Sequence, residues 1–264
     1  MRYIVYSTED SISSGIAEHL RLMGKFDKSG EILGYAHLYS KELDMHMLQL
    51  DKSLLYAEEL DNLKAEVLVI LSRHSSANSI KSFTVHPTGN WSDEAKLGGM
   101  PKELSTAAPL YMLSILKAMS ILNKENEIDV TYEATHHGPL LKTPMLFAEI
   151  ENNTYNEERA RIVAQSVIEG VKNAKNMKNA KVAIGIGSTH YPKKFTQLAL
   201  SGRFAFGHML PKYYVENIDM LEKAVNCSQP KAEIAAIDWK SLNVKQRAMV
   251  IEKLEELGIE YERV

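Results

Sequence analysis

The chain has 264 residues, 45% hydrophobic and 25% charged, with 31 basic against 34 acidic side chains and a net charge of −3. That length can bury a substantial core, and the charge balance excludes a globally basic nucleic-acid binder, leaving only a local patch for such contacts. A single cysteine, Cys227, excludes an internal disulfide and a cysteine-rich zinc site, and it suits a reducing compartment. Arg2–Tyr6 reads as a buried strand, too short and too soon followed by Glu9 and Asp10 to be a secretory leader. Asp10 and Ser11 then offer caps for a helix carrying Ile16, Leu20 and Met23 at helical spacing. Ile32–Leu38 and Met45–Leu50 are expected as short strands of a hairpin, and Ser53–Asn62 as a helix. Ala65–Leu71 is an apolar β-rich run ending in SRHSS, and Ser82–His86 is a short strand ending in HPTGNW. Residues 87–104 carry Pro87, Gly89, Gly98, Gly99 and Pro101, which predicts a long irregular loop. Leu104–Leu122 reads as one amphipathic helix with Leu110, Leu113, Leu116 and Met119 inward.

Ile128–Ala134 is a strand leading into THHGP, and Pro144–Ile150 is another. Asn156–Ala174 is a second long helix, with Ile162, Val163, Val167 and Val171 inward. Lys181–Ile186 is a buried strand ending in GSTHYP, with helical N–H groups expected near Pro192. Arg203–His208 and Ala232–Ile237 are strands, Asn217–Val225 and Val244–Leu257 are helices, and Ile259–Arg263 is an edge strand. No apolar run reaches the ~18 residues of a membrane span, so the expectation is a soluble cytoplasmic protein. The mixed order predicts one α/β domain over 1–264, a mixed, largely parallel sheet with helices on both faces, and residues 1–62 as its less regular part.

Five of the nine histidines fall at or just beyond strand ends: His74, His86, His136, His190 and His208, with His137 adjoining the third. In an open α/β sheet, ligands bind outside the carboxyl ends of the strands. If those strands run parallel, the histidines share a cleft. Ser72, Ser75, Ser76, Thr88, Ser188 and Thr189 add hydroxyls to the same exits. His136 and His137 point to opposite faces of an extended strand, so both reach one metal only if the chain has already turned. Glu133 either orients a histidine or is a solvated strand residue. Arg73 suits a phosphate or carboxylate, Asn90 and Trp91 lie beside His86, and Trp91 either stacks on a base or closes a core edge. Lys172, Lys175, Lys178 and Lys181, with Lys193 and Lys194, form either a phosphate-binding stripe or a solvated face. The absence of GxSxG, Cys–His and HExxH signatures disfavours covalent and zincin chemistry.

YEATHHGP, AIGIGSTHYP, SRHSS, HPTGNW, FAFGHMLPKY and AIDWK together resemble, in order and spacing, the archaeal and plant type of D-aminoacyl-tRNA deacylase, over roughly residues 65 to 260. The resemblance implies a fold similar to peptidyl-tRNA hydrolases and nucleoside phosphorylases. It also implies hydrolysis of the ester joining a D-amino acid to the terminal adenosine of tRNA, with dependence on zinc. It casts His137, His136, His190 and His74 as catalytic. Arg73, Ser75, His86, Thr88, Asn90, Ser188, Thr189, Lys193 and Lys194 become substrate-binding, and His74, His86, His136 and His190 become metal ligands. His137 is expected nearer the site than His136. The partner is the acceptor end of D-aminoacyl-tRNA, with no membrane and a monomer favoured. One departure is GIGSTHY at 185–191, where the family often has GIGGGHY. Two other readings of the residues stay open: a nucleoside-phosphorylase-like or amidohydrolase enzyme, and a non-catalytic RNA-binding module.

Overall fold

The computed structural model describes residues 1–75, 80–124 and 128–264. Ser76 of the SRHSS motif lies outside the described residues. An eight-stranded sheet has the order β2-β3-β4-β1-β5-β8-β6-β7. Its strands are β1 (Arg2–Ser7), β2 (Asp27–Ile32), β3 (Tyr35–Ser40), β4 (Met45–Leu50), β5 (Val67–His74), β6 (Ser82–His86), β7 (Asp129–Tyr132) and β8 (Met145–Glu151). A four-stranded, all-parallel sheet has the order β10-β9-β11-β12. These strands are β9 (Lys181–Ile186), β10 (Phe204–Leu210), β11 (Ile234–Ile237) and β12 (Glu260–Arg263). The architecture is α/β and largely parallel, with its strands divided between two sheets.

Strand alternation decides the faces of the larger sheet. Val67, Val69 and Leu71 of β5 pack with Ile16 and Leu20 of α1 (Ser11–Gly24), Met112 and Leu116 of α2 (Pro109–Leu122) and Val163 and Val167 of α3 (Glu157–Asn173). Their intervening partners Leu68 and Ile70, with Phe147 of β8, join a second cluster containing Leu54 and Leu60. Those last two belong to 3-10 helices, Leu54–Tyr56 and Glu58–Leu63, where one helix was expected. Burying each such side chain contributes about 1.5–3 kcal/mol.

Most expected elements occur near their expected ends. Asp10 caps α1, its carboxylate accepting from Ile12 N–H (3.0 Å) and Ser13 N–H (3.1 Å). Met23, placed on the apolar face of that helix, is instead exposed, while Ile12 is buried. The run Ile32–Leu38 is not one strand. Leu33 (φ 56°) and Gly34 (φ 80°) both adopt left-handed backbone, as a tight hairpin turn requires, and they divide it into β2 and β3. Helix α2 starts at Pro109 rather than Leu104, because a proline at the first helical position needs no N–H partner. Ala107 and Ala108 instead donate to Cys227 O (2.8 Å) and Met145 O (3.2 Å). Among helices of the smaller sheet, α4 (Lys193–Leu200) follows Pro192, α5 (Leu221–Asn226) follows a 3-10 segment, Lys212–Met220, and α6 is Val244–Glu256.

Candidate active site

The site begins with register. Ser72 and His74 of β5 pair with Glu149 and Glu151 of β8, and Thr84 and His86 of β6 pair with Glu149 and Phe147. Alternation puts His74, Glu149 and His86 on the face that carries Ile70 and Phe147 further along, so an apolar face becomes polar. β6 runs antiparallel to β8, whereas β5 runs parallel to it. The expected common edge of parallel strands is therefore not what gathers the histidines: they meet over the sheet face. His136 and His137 arrive on the turn after β7. His190 arrives from the exit of β9 in the other sheet, where its carbonyl accepts from Ala134 N–H (2.8 Å).

His74 Nδ1 lies 3.1 Å from Glu133 Oε2 and 3.3 Å from Glu149 Oε2, and its Nε2 bonds the Tyr191 hydroxyl at 2.9 Å. His190 Nε2 lies 3.0 Å from Glu133 Oε2, and His136 Nε2 lies 3.5 Å from the same oxygen. Three rings are tethered through Nδ1–H to a backbone carbonyl: His86 to Pro87 (3.1 Å), His136 to Ala134 (2.8 Å) and His137 to Gly138 (2.6 Å). Such tethering fixes the tautomer of the neutral ring, in which Nε2 is the lone-pair donor. Among the described residues, His86 Nε2 and Glu133 Oε1 are buried with no hydrogen-bond partner.

Electrostatics separate the histidines. Burial alone would lower the His74 pKa, but its bond to Glu149 and the charges of Glu133, Glu149 and Glu151 outweigh that and raise it to about 9. His86 is also raised, burial being overcome chiefly by Glu149, which stands 3.6 Å from Nε2 and so beyond hydrogen-bond length. Burial, with the nearby histidines, pushes His136 well below its ordinary value and His137 down to about 4. Glu133 and Glu149 stay below the usual carboxylate range despite burial, through hydrogen bonds to His190 and to His74 respectively and the charge of His86.

Two clefts open on these rings. The larger, about 400 Å³, is lined by Glu9, Asp10, Arg73, His74, Ser75, Glu149 and His190, and the smaller, about 180 Å³, by Asn90, Trp91, Lys96, Thr135 and Tyr214. Leu97, His136 and His137 line both. His136 and His137 thus both face the site, and the choice between them dissolves. The loop over 87–104 is pinned to their turn: Gly89 N–H donates to His137 O (2.8 Å) and Gly138 N–H to Leu97 O (2.9 Å). A Cβ on Gly138 would lie 2.3 Å from Gly99 N and 2.6 Å from Leu55 O, so only glycine permits this packing. Asp10 also accepts from Arg73 N–H (2.9 Å), fixing the rim of the larger cleft.

Other expected residues fall elsewhere. Thr88 is buried, its hydroxyl engaged by Ser105 Oγ and Pro139 O at 2.7 Å each, so it braces the turn rather than lining a cleft. His86 lies beneath the clefts. Ser188 donates its N–H to Ser241 Oγ (2.7 Å), Thr189 donates its hydroxyl to Tyr191 O (3.1 Å), and neither lines either cleft. Lys193 and Lys194 are at the start of α4, near Asp129 (3.9 Å) and Asp238 (3.3 Å), also outside both clefts. Lys172, Lys175, Lys178 and Lys181 gather at the opposite end of β9 from His190, on the order of 20 Å of strand away. Trp91 closes the core, donating to Thr135 O (3.0 Å). His208 is buried within β10 and fully bonded: Nε2–H reaches Ser105 O (2.9 Å) and Cys227 O (3.0 Å), and Nδ1 meets Thr135 Oγ1 (3.1 Å).

The expected metal set does not form one group. His74, His136 and His190 offer ligand atoms within 4.8 Å of one another together with Glu133, whereas His86 does so with His136 and His137, or with Glu133 and Glu149. Glu149 and Tyr191 complete the site beyond its expected members, and Glu133 takes the orienting one of its two expected roles. Glu149 and Glu151, alternating in the apolar run MLFAEIE, carried a readable signal: two carboxylates on one face of a buried strand.

Buried imidazoles and carboxylates with open ligand atoms, set where two clefts of an α/β fold join, are the equipment of a hydrolase. The chain belongs to the D-aminoacyl-tRNA deacylase family, whose model matches residues 61–262. Similar proteins include the D-aminoacyl-tRNA deacylases of Ignicoccus hospitalis (37% identical, covering 86% of this chain and 92% of that one) and Pyrococcus abyssi (34%, covering 99% of each). That of Methanosarcina mazei is 39% identical over 82% of this chain and 72% of the other. A solved structure described as a conserved protein of unknown function is 31% identical, with TM-score 0.90 over 100% of this chain and 95% of that one.

Proposed function

We propose that the chain hydrolyses the ester of D-aminoacyl-tRNA, releasing the D-amino acid and free tRNA. The observation that carries this reading, beside the family match, is the meeting of His74, Glu133, His136 and His190 within 4.8 Å at the junction of two clefts. Glu133 accepts from His190 Nε2–H and so holds Nδ1 of that ring as a proton acceptor for attacking water. Arg73, at the rim of the larger cleft, has no side-chain partner among the described residues and is available to the substrate. The pinned turn at His136–Pro139 keeps the reacting groups in one geometry without reorganisation.

Zinc fits the donor set. The bare Nε2 of His86 and Glu133 Oε1 are buried polar atoms with no hydrogen-bond partner among the described residues, as metal-ligating atoms would be. His86, His136 and His137 would hold the ion and leave His190 as the base, whereas the set of His74, Glu133, His136 and His190 would engage His190 as a ligand instead. When bound, the ion would supply a polarised water and Lewis-acid assistance to the ester carbonyl. The larger core cluster draws together residues from Ile4 to Leu254 and from both sheets, which supports reading 1–264 as one domain. No helix among the described residues is long and apolar enough to cross a membrane. A translation-linked activity and the lone Cys227 support a cytoplasmic location, and we read the protein as a monomer. The direct test is amino-acid release from D-tyrosyl-tRNA and L-tyrosyl-tRNA. Hydrolysis of the D form alone is expected, and no release from it overturns the reading. Activity that survives complete metal removal overturns the role of zinc.

A further inference from the structure

We propose that the smaller cleft receives the 3′-terminal nucleoside of the substrate, so that the ester lies at Leu97, His136 and His137 with its aminoacyl arm in the larger cleft. This rests on the deacylase reading. An aminoacyl ester has two unlike arms joined at one carbonyl, and the two clefts share one wall at the histidines. The aminoacyl arm carries an α-ammonium group, and the larger cleft has Glu9 on its wall beside Asp10, whose carboxylate is already engaged by backbone N–H groups. Glu9 is exposed, and its carboxylate has no partner among the described residues. The nucleoside arm carries a flat base and leads to phosphates. On the smaller cleft Tyr214 offers a 36% exposed ring, packed edge-on to Tyr213 at 5.0 Å.

Aromatic rings beside cations are how proteins hold unpaired bases, stacking the base and neutralising its backbone. Lys212 adjoins the two tyrosines, is exposed, and has no ion-pair partner among the described residues. Lys96, on the same cleft, is engaged among the described residues only by Glu94, also on the cleft wall, in an exposed pair (2.8 Å), which competes weakly with a phosphate. Asn90 uses its amide N–H groups on Gly98 O and Met100 O, and its Oδ1 remains an acceptor for an exocyclic amine. The larger cleft also holds Arg73 and the smaller one Glu94, so the arms are assigned by the unpaired Glu9 carboxylate in the one and by the exposed Tyr214 ring, with Lys96, Lys212 and Asn90 around it, in the other.

The experiment measures D-tyrosyl-tRNA hydrolysis, and calorimetric binding of the trinucleotide CCA, for the full chain and its variants. Tyr214→Ala is expected to raise KM and weaken CCA binding about tenfold with kcat little changed, the loss of one stacked base. Tyr214→Phe keeps the ring and is expected to behave as wild type. Glu9→Gln, in the other cleft, is expected to leave CCA binding unchanged. Lys212→Ala is expected to flatten the salt dependence of CCA binding. If Tyr214→Ala binds CCA as wild type does, or Glu9→Gln weakens it equally, the assignment is overturned. Should the wild type bind CCA through Tyr214 yet release no D-tyrosine, the deacylase reading fails while the nucleoside cleft stands.

Discussion

His86 and His208 are both wholly buried, and each lies on a strand. Their bonding differs. His208 spends both ring nitrogens, on two carbonyls and a threonine hydroxyl, and burial pushes its pKa down to about 4. His86 spends one nitrogen on Pro87 O and keeps the other bare, 3.6 Å from the Glu149 carboxylate, with its pKa raised. Burial thus says little about what a histidine is for. Residual bonding capacity beside a carboxylate separates the ring that can bind something from the ring that only holds the fold together.

Substitution sharpens this contrast first. His86→Gln should lower D-aminoacyl-tRNA hydrolysis about 10–100-fold, the range for removing a group that supports a metal-ready cluster. His208→Gln should leave kcat close to wild type, measured in the same assay. An equal loss in both would break the distinction.

Stability against pH is the converse test. His208 binds its proton more weakly in the folded chain than in the unfolded one, so its contribution is complete above about pH 6.5 and is lost as pH falls through about 4. Over that window it removes up to about 3 kcal/mol. Urea midpoints at pH 7 and pH 4 should fall less steeply for His208→Gln than for wild type. Parallel slopes would sink the assignment of a neutral ring.

Backbone changes extend the comparison from rings to the turns that carry them. Gly138→Ala puts a Cβ against Gly99 N and Leu55 O, and should cost about 1–3 kcal/mol in urea unfolding, with activity reduced in the soluble fraction. Ser188→Gly works the other way. Ser188 holds φ 69°, a left-handed backbone that glycine adopts freely. Relief of that strain should stabilise the chain by about 0.5–1 kcal/mol, read as a higher urea midpoint. The resembling family often has glycine there, and the observed backbone supplies the reason.

The elements were legible because apolar periodicity and punctuation are local. Asp10 before α1, Pro109 within α2 and the apolar run of β5 each mark their place in the sequence. The histidines were legible as a repeated pattern at strand exits, yet their geometry was not. Which strands run antiparallel is a matter of long-range pairing, and β6 reversing against β8 decides that the rings meet over a face. Thr88 and Ser188 looked like site hydroxyls because a hydroxyl at a strand exit reads the same whether it braces a turn or meets a ligand. In the sequence Glu133 reads equally as orienting or solvated, and only its neighbours across two sheets choose the first.

Asp10 has a consequence for how this protein can be divided. Its carboxylate caps α1 and also holds Arg73 N–H, so the rim of the larger cleft is built partly from a residue that precedes the matched span 61–262. A fragment trimmed to that span would keep every site histidine and lose β1, the parallel neighbour of β5. The long apolar β5 would then become an uncovered sheet border, a template for pairing with other chains. Such a fragment should aggregate before its chemistry is ever measured.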